Sequence, residues 1–543
     1  MPIDKLTSIR PFGSWRRGFL ALVIVSASVI FGVANCGDDD DDDTGGATDF
    51  DESATALLDL DDAFTRVDPR FLSVAVDSSQ VVGGNWWSES GEVEVGVGGT
   101  RVAPFDFGRE RLRNMARALA PAYLRIGGSE ADKLYYDMSD DPVAEPPNEK
   151  YEFVFTDNFM AGIDHFAKAV GFDVFFTVNA GAGPRDENKA WTTDNARKLL
   201  SHVRRKGYDV AVWELGNEVN GYWLIHGFRY LISGAQFADD IRKLRRLVDE
   251  LDPGKPVAGP SSAFWPVLGE APKYVMEDFI REAAGDVDIL TWHYYPTQSR
   301  RCPIGTRRTD KNSNIDPGVL DEVGVHGRRM NSWRATLAPG TPVWLGETGN
   351  AQCGGEPGIS DRFVSTFWWM DQLGSLARLA QPVMIRQTLS GSNYGLIRDD
   401  DLTPNPDFWL AVLWKRLMSP SVLDARFDGA SPGVRLYAHC TPGIDGGVTV
   451  LAMNLNRTRT ATVALPDLTG QAATTYRVTS SDLYARDVIV NGQSMELPDD
   501  GRVPDFPTKT TADAGTLRLP PLSHTFAVYE DAGAAACALG DGK

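Results

Sequence analysis

Two hexapeptides decide the fold: Trp213-Glu214-Leu215-Gly216-Asn217-Glu218 and Val343-Trp344-Leu345-Gly346-Glu347-Thr348. Each is an apolar run ending in a carboxylate. Each reads as a buried strand that releases an acid at its tip. A parallel α/β barrel gathers such strand ends at one face, where the loops carry chemistry. Two glutamates delivered there suit cleavage of a glycosidic bond by paired carboxylates.

Further runs of the same kind extend the pattern in both directions. The strand candidates are 71–76, 123–126, 174–178, 210–213, 256–258, 289–293, 342–345 and 383–386. Helical spacing fills the intervals. Leu112, Met115, Ala116 and Leu119 form one buried face, and Phe237, Ile241, Leu244, Val248 and Leu251 form another. Eight strand–helix alternations over 69–408 predict a (β/α)8 TIM barrel rather than an open sheet. From 409 to 543 the segments shorten and turn β-rich, as in Val434-Arg435-Leu436-Tyr437-Ala438 and Phe526-Ala527-Val528-Tyr529. Pro, Gly, Asp and Asn punctuate them, which predicts a C-terminal β-sandwich.

The N-terminal region reads as a targeting segment. Lys5, Arg10, Arg16 and Arg17 form a basic head before an apolar run at 19–33. That run is shorter than the about 20 residues a membrane span needs. Val33-Ala34-Asn35-Cys36 resembles a lipoprotein box, with Cys36 the expected lipidation site, although Asn35 departs from the usual small residue. Residues 1–36 are thus expected to be a signal peptide. The expected destination is the bacterial cell envelope, through a lipid anchor in the membrane, or the medium. Asp38 to Asp43 form an unbroken acidic run. Like charges at this density stay extended, so 37–68 reads as a tether whose end, 50–68, is a candidate first sandwich strand.

Net charge is −20, which argues against nucleic acid as a partner. Arg300, Arg301, Arg307, Arg308 and Lys311 are a local exception, read either as a solvated loop or as a contact surface for anionic sugar. Apart from Cys36, four cysteines remain: Cys302, Cys353, Cys440 and Cys537. Export permits disulfides, and four cysteines allow three connectivities.

Several motifs, in order, resemble one family. Asp68-Pro69-Arg70-Phe71-Leu72-Ser73-Val74, Pro121-Ala122-Tyr123-Leu124-Arg125-Ile126-Gly127-Gly128, Trp213 to Asn220, Trp344 to Thr348, and Arg386-Gln387 resemble barrel segments of the heparanase-like glycosidases, glycoside hydrolase family 79. Arg435 to Cys440 and Ala534 to Cys537 resemble sandwich segments that share a disulfide there. The resemblance spans about Asp68 to Cys537. It implies Cys440–Cys537, and then Cys302–Cys353 in neighbouring loops after strands six and seven.

The resemblance also implies roles. Glu218 is the expected acid/base and Glu347 the expected nucleophile of a retaining hydrolase. Asn217 would bond the sugar hydroxyl beside the anomeric carbon. His293 and Tyr295 match the family's His-x-Tyr, with Tyr295 donating to Glu347. Gly354, Gly355, Asn393 and Tyr394 match positions that hold a uronic carboxylate. Asp77, Ser129 and Gln236 match further sugar contacts, with Ser129 in place of a threonine. Glu214 receives no catalytic role. The expected substrate is an oligo- or polysaccharide containing glucuronic acid, cut at a β-glucuronosyl linkage. No metal and no cofactor are expected, since two carboxylates suffice.

Two departures qualify this. The segment 135–155 is short where heparanase carries a long excised piece, which implies a single active chain. The acidic balance should attract sulfated chains less, so endo cleavage of heparan-type glycans and exo removal of terminal glucuronic acid both stay open. Two rivals remain: a related glycosidase of neutral sugars, and a noncatalytic glycan-binding lipoprotein.

Overall fold

The computed structural model describes residues 52–87, 89, 99–270 and 274–539. The expected signal peptide, Cys36 and the acidic run lie outside the described residues. Among the described residues no helix is long and apolar enough to cross a membrane.

Eight parallel strands close into a barrel in chain order. They are Leu72–Asp77, Ala122–Gly127, Phe172–Val178, Val210–Leu215, Val257–Phe264, Ile289–Tyr294, Val343–Thr348 and Met384–Arg386. All eight expected strands are there, because each is too apolar to sit anywhere but inside. Side chains alternate inward and outward. Ala75, Tyr123, Phe175, Val212, Ile289, Trp344 and Ile385 plug the barrel's interior. Two residues further along, Arg125, Thr177, Glu214 and Thr291 form a buried polar layer. The barrel is therefore oily below and charged above, and the charged layer is the floor of the site.

The helices bury one face against the barrel. Gly234–Leu251 buries Phe237, Ile241, Leu244 and Val248, and Ser233 Oγ caps it by accepting from Gln236 N at 3.2 Å. The short segment between strand two and the next helix is a small ladder of Leu134–Tyr136 and Phe153–Phe155. Helix Pro406–Leu417 runs across the expected boundary at 408, and the next strand begins only at Ser421. Proline at its first turn starts that helix, a cue outweighed in the sequence by the β-rich run beyond it.

The C-terminal region folds into antiparallel strands, among them Val434–Cys440, Val448–Asn454 and Ser523–Tyr529. Strand Glu52–Arg66 joins them from the other end of the chain. Its first part runs parallel to Ala461–Ala464, and the strand also pairs antiparallel with Ser421–Phe427. It changes partner between Thr55 and Ala56, and register shifts between Leu58 and Thr65 interrupt its pairing with Ser421–Phe427. Between the sheets lie Ala56, Leu58, Leu423, Val450, Leu517 and Leu519. Cys440 and Cys537 form a disulfide at its edge, with Cα atoms 5.2 Å apart.

The sandwich docks on helix Ser365–Arg378, which follows the strand carrying Glu347. Tyr437 Oη donates to Asp371 Oδ1 at 2.6 Å, and the rings of Phe367 and His524 stack at 4.3 Å. That helix is buried on nearly every side because it has barrel on one face and sandwich on the other.

Candidate active site

Arg125 is the hub of the polar layer. It sits on strand two with no solvent exposure. Its Nε donates to Glu214 Oε2 at 2.9 Å, Nη1 to Glu347 Oε2 at 2.8 Å, and Nη2 to Asn217 Oδ1 at 2.8 Å. A buried cation must be paired, and these acceptors pair it. Glu214 also accepts from Thr177 Oγ1 at 2.7 Å and from Ser261 Oγ. Both its oxygens are engaged beneath the floor, so it balances charge rather than facing substrate.

Glu347 reaches the cleft through a register shift. Trp292 pairs with Leu345, but His293 pairs with Glu347, so Gly346 is the extra residue. The shift turns the carboxylate into the cleft, a common use of bulges near active sites. Glu347 accepts from Arg125 and, at 2.7 Å, from Tyr295 Oη. Burial first, then the neighbouring carboxylate, holds the Tyr295 phenol protonated and ready to donate. Two donors, one of them a guanidinium, thus fix the carboxylate's orientation.

Glu218 sits on the loop after strand four with a left-handed backbone, φ 52°, held by its N–H donating to Ser261 O at 2.9 Å. Such a conformation costs a non-glycine residue roughly 1 kcal/mol or more and persists only where surroundings enforce it. Gly216 precedes it at φ 65°, and a Cβ there would meet Tyr222 Oη at 2.4 Å. Burial raises the Glu218 carboxyl to about 7, against a smaller lowering from Arg125. Glu218 and Glu347 thus differ in their donors, although their oxygens lie within 4.8 Å of one another. His293 Nδ1 lies 3.3 Å from Glu218 Oε1. Burial depresses His293 to about 4, so it is neutral at neutral pH. Glu218, His293 and Glu347 are close enough to share a metal ion, but Arg125 already holds one Glu347 oxygen and its charge opposes a dication there.

The cleft above these groups has a volume of about 390 Å³. Asp77, Ser129, Glu218, Tyr295, Glu347 and Tyr394 all line it. Asp77 caps a short helix by accepting from Ser79 N at 2.8 Å, and its other oxygen accepts from Gln387 Nε2 at 3.1 Å. Burial and then the charge of Glu130 push its pKa well up. Gly128 must be glycine here, since a Cβ would fall 1.9 Å from Asp77 Oδ2. Asn217 lies just below, its amide oxygen engaged by Arg125 and its N–H by Asp132 at 2.9 Å.

Other expected residues fall elsewhere. Gln236 is outside the cleft: it is the third residue of its helix, and its Nε2 donates to Lys189 O at 3.0 Å. Asn393 is buried behind the cleft, accepting from Arg301 Nη2 at 2.7 Å. The Gly354–Gly355 pair does not present two free amides, because Gly355 N donates to Ala351 O at 3.2 Å. Gly354 lies beneath Trp87, whose Cβ would be 2.3 Å from any added Cβ. Cys302 and Cys353 form a disulfide in the cleft wall. The basic loop is engaged within the protein. Arg300 pairs with Glu356 at 3.0 Å, Arg307 pairs with Glu322, and Arg308 donates to the carbonyls of Ser299 and Cys302.

Sequence reasoning missed Arg125 and the aromatic and apolar lining residues Trp86, Trp87, Trp265 and Ile304, which come from loops on both sides of the cleft. The signal for Arg125 was its own position, since a guanidinium inside an apolar strand demands a buried acid.

A closed barrel with paired, unlike carboxylates at its strand tips defines a glycoside hydrolase. The model of "Glycosyl hydrolase family 79, N-terminal domain" matches residues 75–374. The chain belongs to glycosyl hydrolase family 79. It is 29% identical to heparanase of Mus musculus over 527 residues, covering 87% of this chain and 92% of that one. Inactive heparanase-2 of Mus musculus matches at 26% over 573 residues, covering 90% and 91%. Baicalin-beta-D-glucuronidase of Scutellaria baicalensis matches at 28% over 456 residues, covering 78% and 83%. In fold the chain is similar to a 4-O-alpha-L-rhamnosyl-beta-D-glucuronidase from Fusarium oxysporum 12S, with a TM-score of 0.62 at 14% identity, covering 87% and 99%.

Proposed function

We propose that this glycoside hydrolase is a retaining β-glucuronidase. One observation carries the reading: two carboxylates within 4.8 Å, one held by an arginine and a tyrosine, the other pushed up to about 7 by burial. Retaining enzymes bring the pair to about 5–5.5 Å, whereas inverting ones leave room for a water between them. Glu347 attacks the anomeric carbon while Glu218 gives its proton to the departing oxygen. Water then loses a proton to Glu218, adds at the same carbon and frees Glu347. Tyr295 and Arg125 hold Glu347 in place until it attacks.

Glucuronic acid as the sugar is supported by the matched heparanases and the baicalin glucuronidase. Tyr394 supports it too: burial keeps its phenol protonated in the cleft wall, where it can donate to a carboxylate. The basic and apolar N-terminal stretch with Cys36 supports export and a lipid anchor. Cys36→Ala should move the protein from the membrane fraction to the soluble fraction.

A 2-deoxy-2-fluoro glucuronide with a good leaving group tests the reaction. The expected result is a stable covalent adduct at Glu347, found by peptide mass. Turnover of a xyloside, arabinofuranoside or glucoside in preference to the glucuronide would transfer the mechanism to a neutral sugar. No adduct and no turnover of any glycoside would make the chain a binder.

A further inference from the structure

The cleft has two unlike walls. Loops after strands eight, one and two, which are neighbours in the barrel, supply Gln387, Tyr394, Asp77 and Ser129, with Trp86 and Trp87 beside them. Loops after strands four, five and six, also neighbours, supply Leu224, Ile225, Trp265, Pro303 and Ile304. The first wall sets polar groups beside two tryptophans, a surface suited to a sugar ring. The second is apolar and open to solvent, with Ile304 50% and Leu224 40% exposed. Two residues past Trp265 in the chain, Val267 stands at the tip of a tight turn and is 58% exposed. Exposed apolar surface continuous with a catalytic cleft marks a binding surface.

Glu218 belongs to the second wall, since it lies on the loop after strand four, just ahead of Leu224 and Ile225 in the chain. The atom it protonates is the oxygen of the leaving group. That group therefore departs across Leu224, Trp265 and Ile304. We propose that this wall is an aglycone subsite for a flat apolar alcohol or phenol, so that the substrates are small apolar β-glucuronides rather than sulfated chains. The proposal rests on the β-glucuronidase reading above.

Charge points the same way. Lys133 is the one basic side chain in the cleft wall among the described residues, and it is engaged by Glu152 at 3.0 Å and Glu130 at 3.6 Å. The arginines of the 300–308 loop are absent from that wall. A polyanionic chain would have few cations to meet and a net charge of −20 to overcome. An apolar aglycone needs neither, because burial against Trp265 and Ile304 supplies its affinity.

The test compares kcat/KM of the full chain for methyl, phenyl and 2-naphthyl β-D-glucuronides and a heparosan tetrasaccharide. Phenol and 2-naphthol have similar acidity, so their ratio reads contact rather than leaving-group chemistry. The naphthyl compound should exceed the phenyl by roughly tenfold, and the tetrasaccharide should be poorest. Leu224→Asp and Ile304→Asp, both at exposed positions, should each reduce the naphthyl-to-phenyl ratio to about twofold or less. A ratio near one in the parent, or preference for the tetrasaccharide, would overturn the aglycone subsite while leaving the β-glucuronidase reading intact. Failure of all four glucuronides would overturn that reading, and this proposal with it.

Discussion

Glu218 and Glu347 are chemically identical side chains less than 4.8 Å apart, yet their surroundings are opposite. Glu347 has a buried guanidinium and a phenol aimed at it. Glu218 has a neutral imidazole at 3.3 Å and is itself largely buried. The lesson is that hydrogen-bond donors and burial, rather than residue type, divide nucleophile from acid. Glu214, only four residues before Glu218, shows a third outcome: fully buried and fully paired, it serves the arginine.

Removing one member of the pair should show the division most strongly. Glu347→Ala should lower kcat by at least roughly 10⁴-fold, since no other group on the floor can attack. Steady-state rates on an aryl glucuronide measure this, and residual activity above 1% would return Glu347 to a supporting role. Tyr295→Phe removes one of two donors to Glu347. A hydrogen bond to a charged group is worth about 1.5–3 kcal/mol, so kcat should fall roughly 10–100-fold. Arg125→Met leaves Glu214 and Glu347 buried without their counter-charge, which should cost about 3–5 kcal/mol in urea unfolding. An unchanged midpoint would mean that water or rearrangement replaces the guanidinium.

Glu218→Gln should act differently on stability. Burial raises this carboxyl from its ordinary value near 4.5 to about 7. The folded state therefore binds the proton more tightly than the unfolded chain. Its stabilising effect is complete below the unfolded value and is lost as pH climbs through about 7. The glutamine variant has no such proton, so it should gain about 1–3 kcal/mol over the parent at pH 8 and nothing at pH 4. Thermal unfolding at the two pH values decides it. The smallest effect is expected outside the cleft: Gln236→Ala should leave kcat/KM within about twofold, because that side chain caps a loop carbonyl.

The barrel was legible because its strands are nearly continuous apolar runs with acids at two tips, and neither feature depends on distant partners. What the sequence hid was pairing across the fold. Arg125 stands in an ordinary strand, and its acceptors lie 89 and 222 residues away. The arginines of the 300–308 loop looked like a docking surface because Glu322 and Glu356 reach them only in three dimensions. Gln236 was misplaced for a related reason: a position matched along a chain does not reveal that the residue begins a helix facing another loop. The apolar wall was invisible because Leu224, Trp265 and Ile304 come from three separate loops.

The pH dependence of kcat/KM tests the central claim most directly, since it reports the protonation of the free enzyme. The parent should lose activity tenfold per pH unit above about 7, the value at which burial sets Glu218. With a leaving group too acidic to need protonation, Glu218→Gln should retain measurable glycosylation and show no such limb. A limb that persists in that variant, or a parent profile flat through pH 9, would contradict the assignment of Glu218 as the acid.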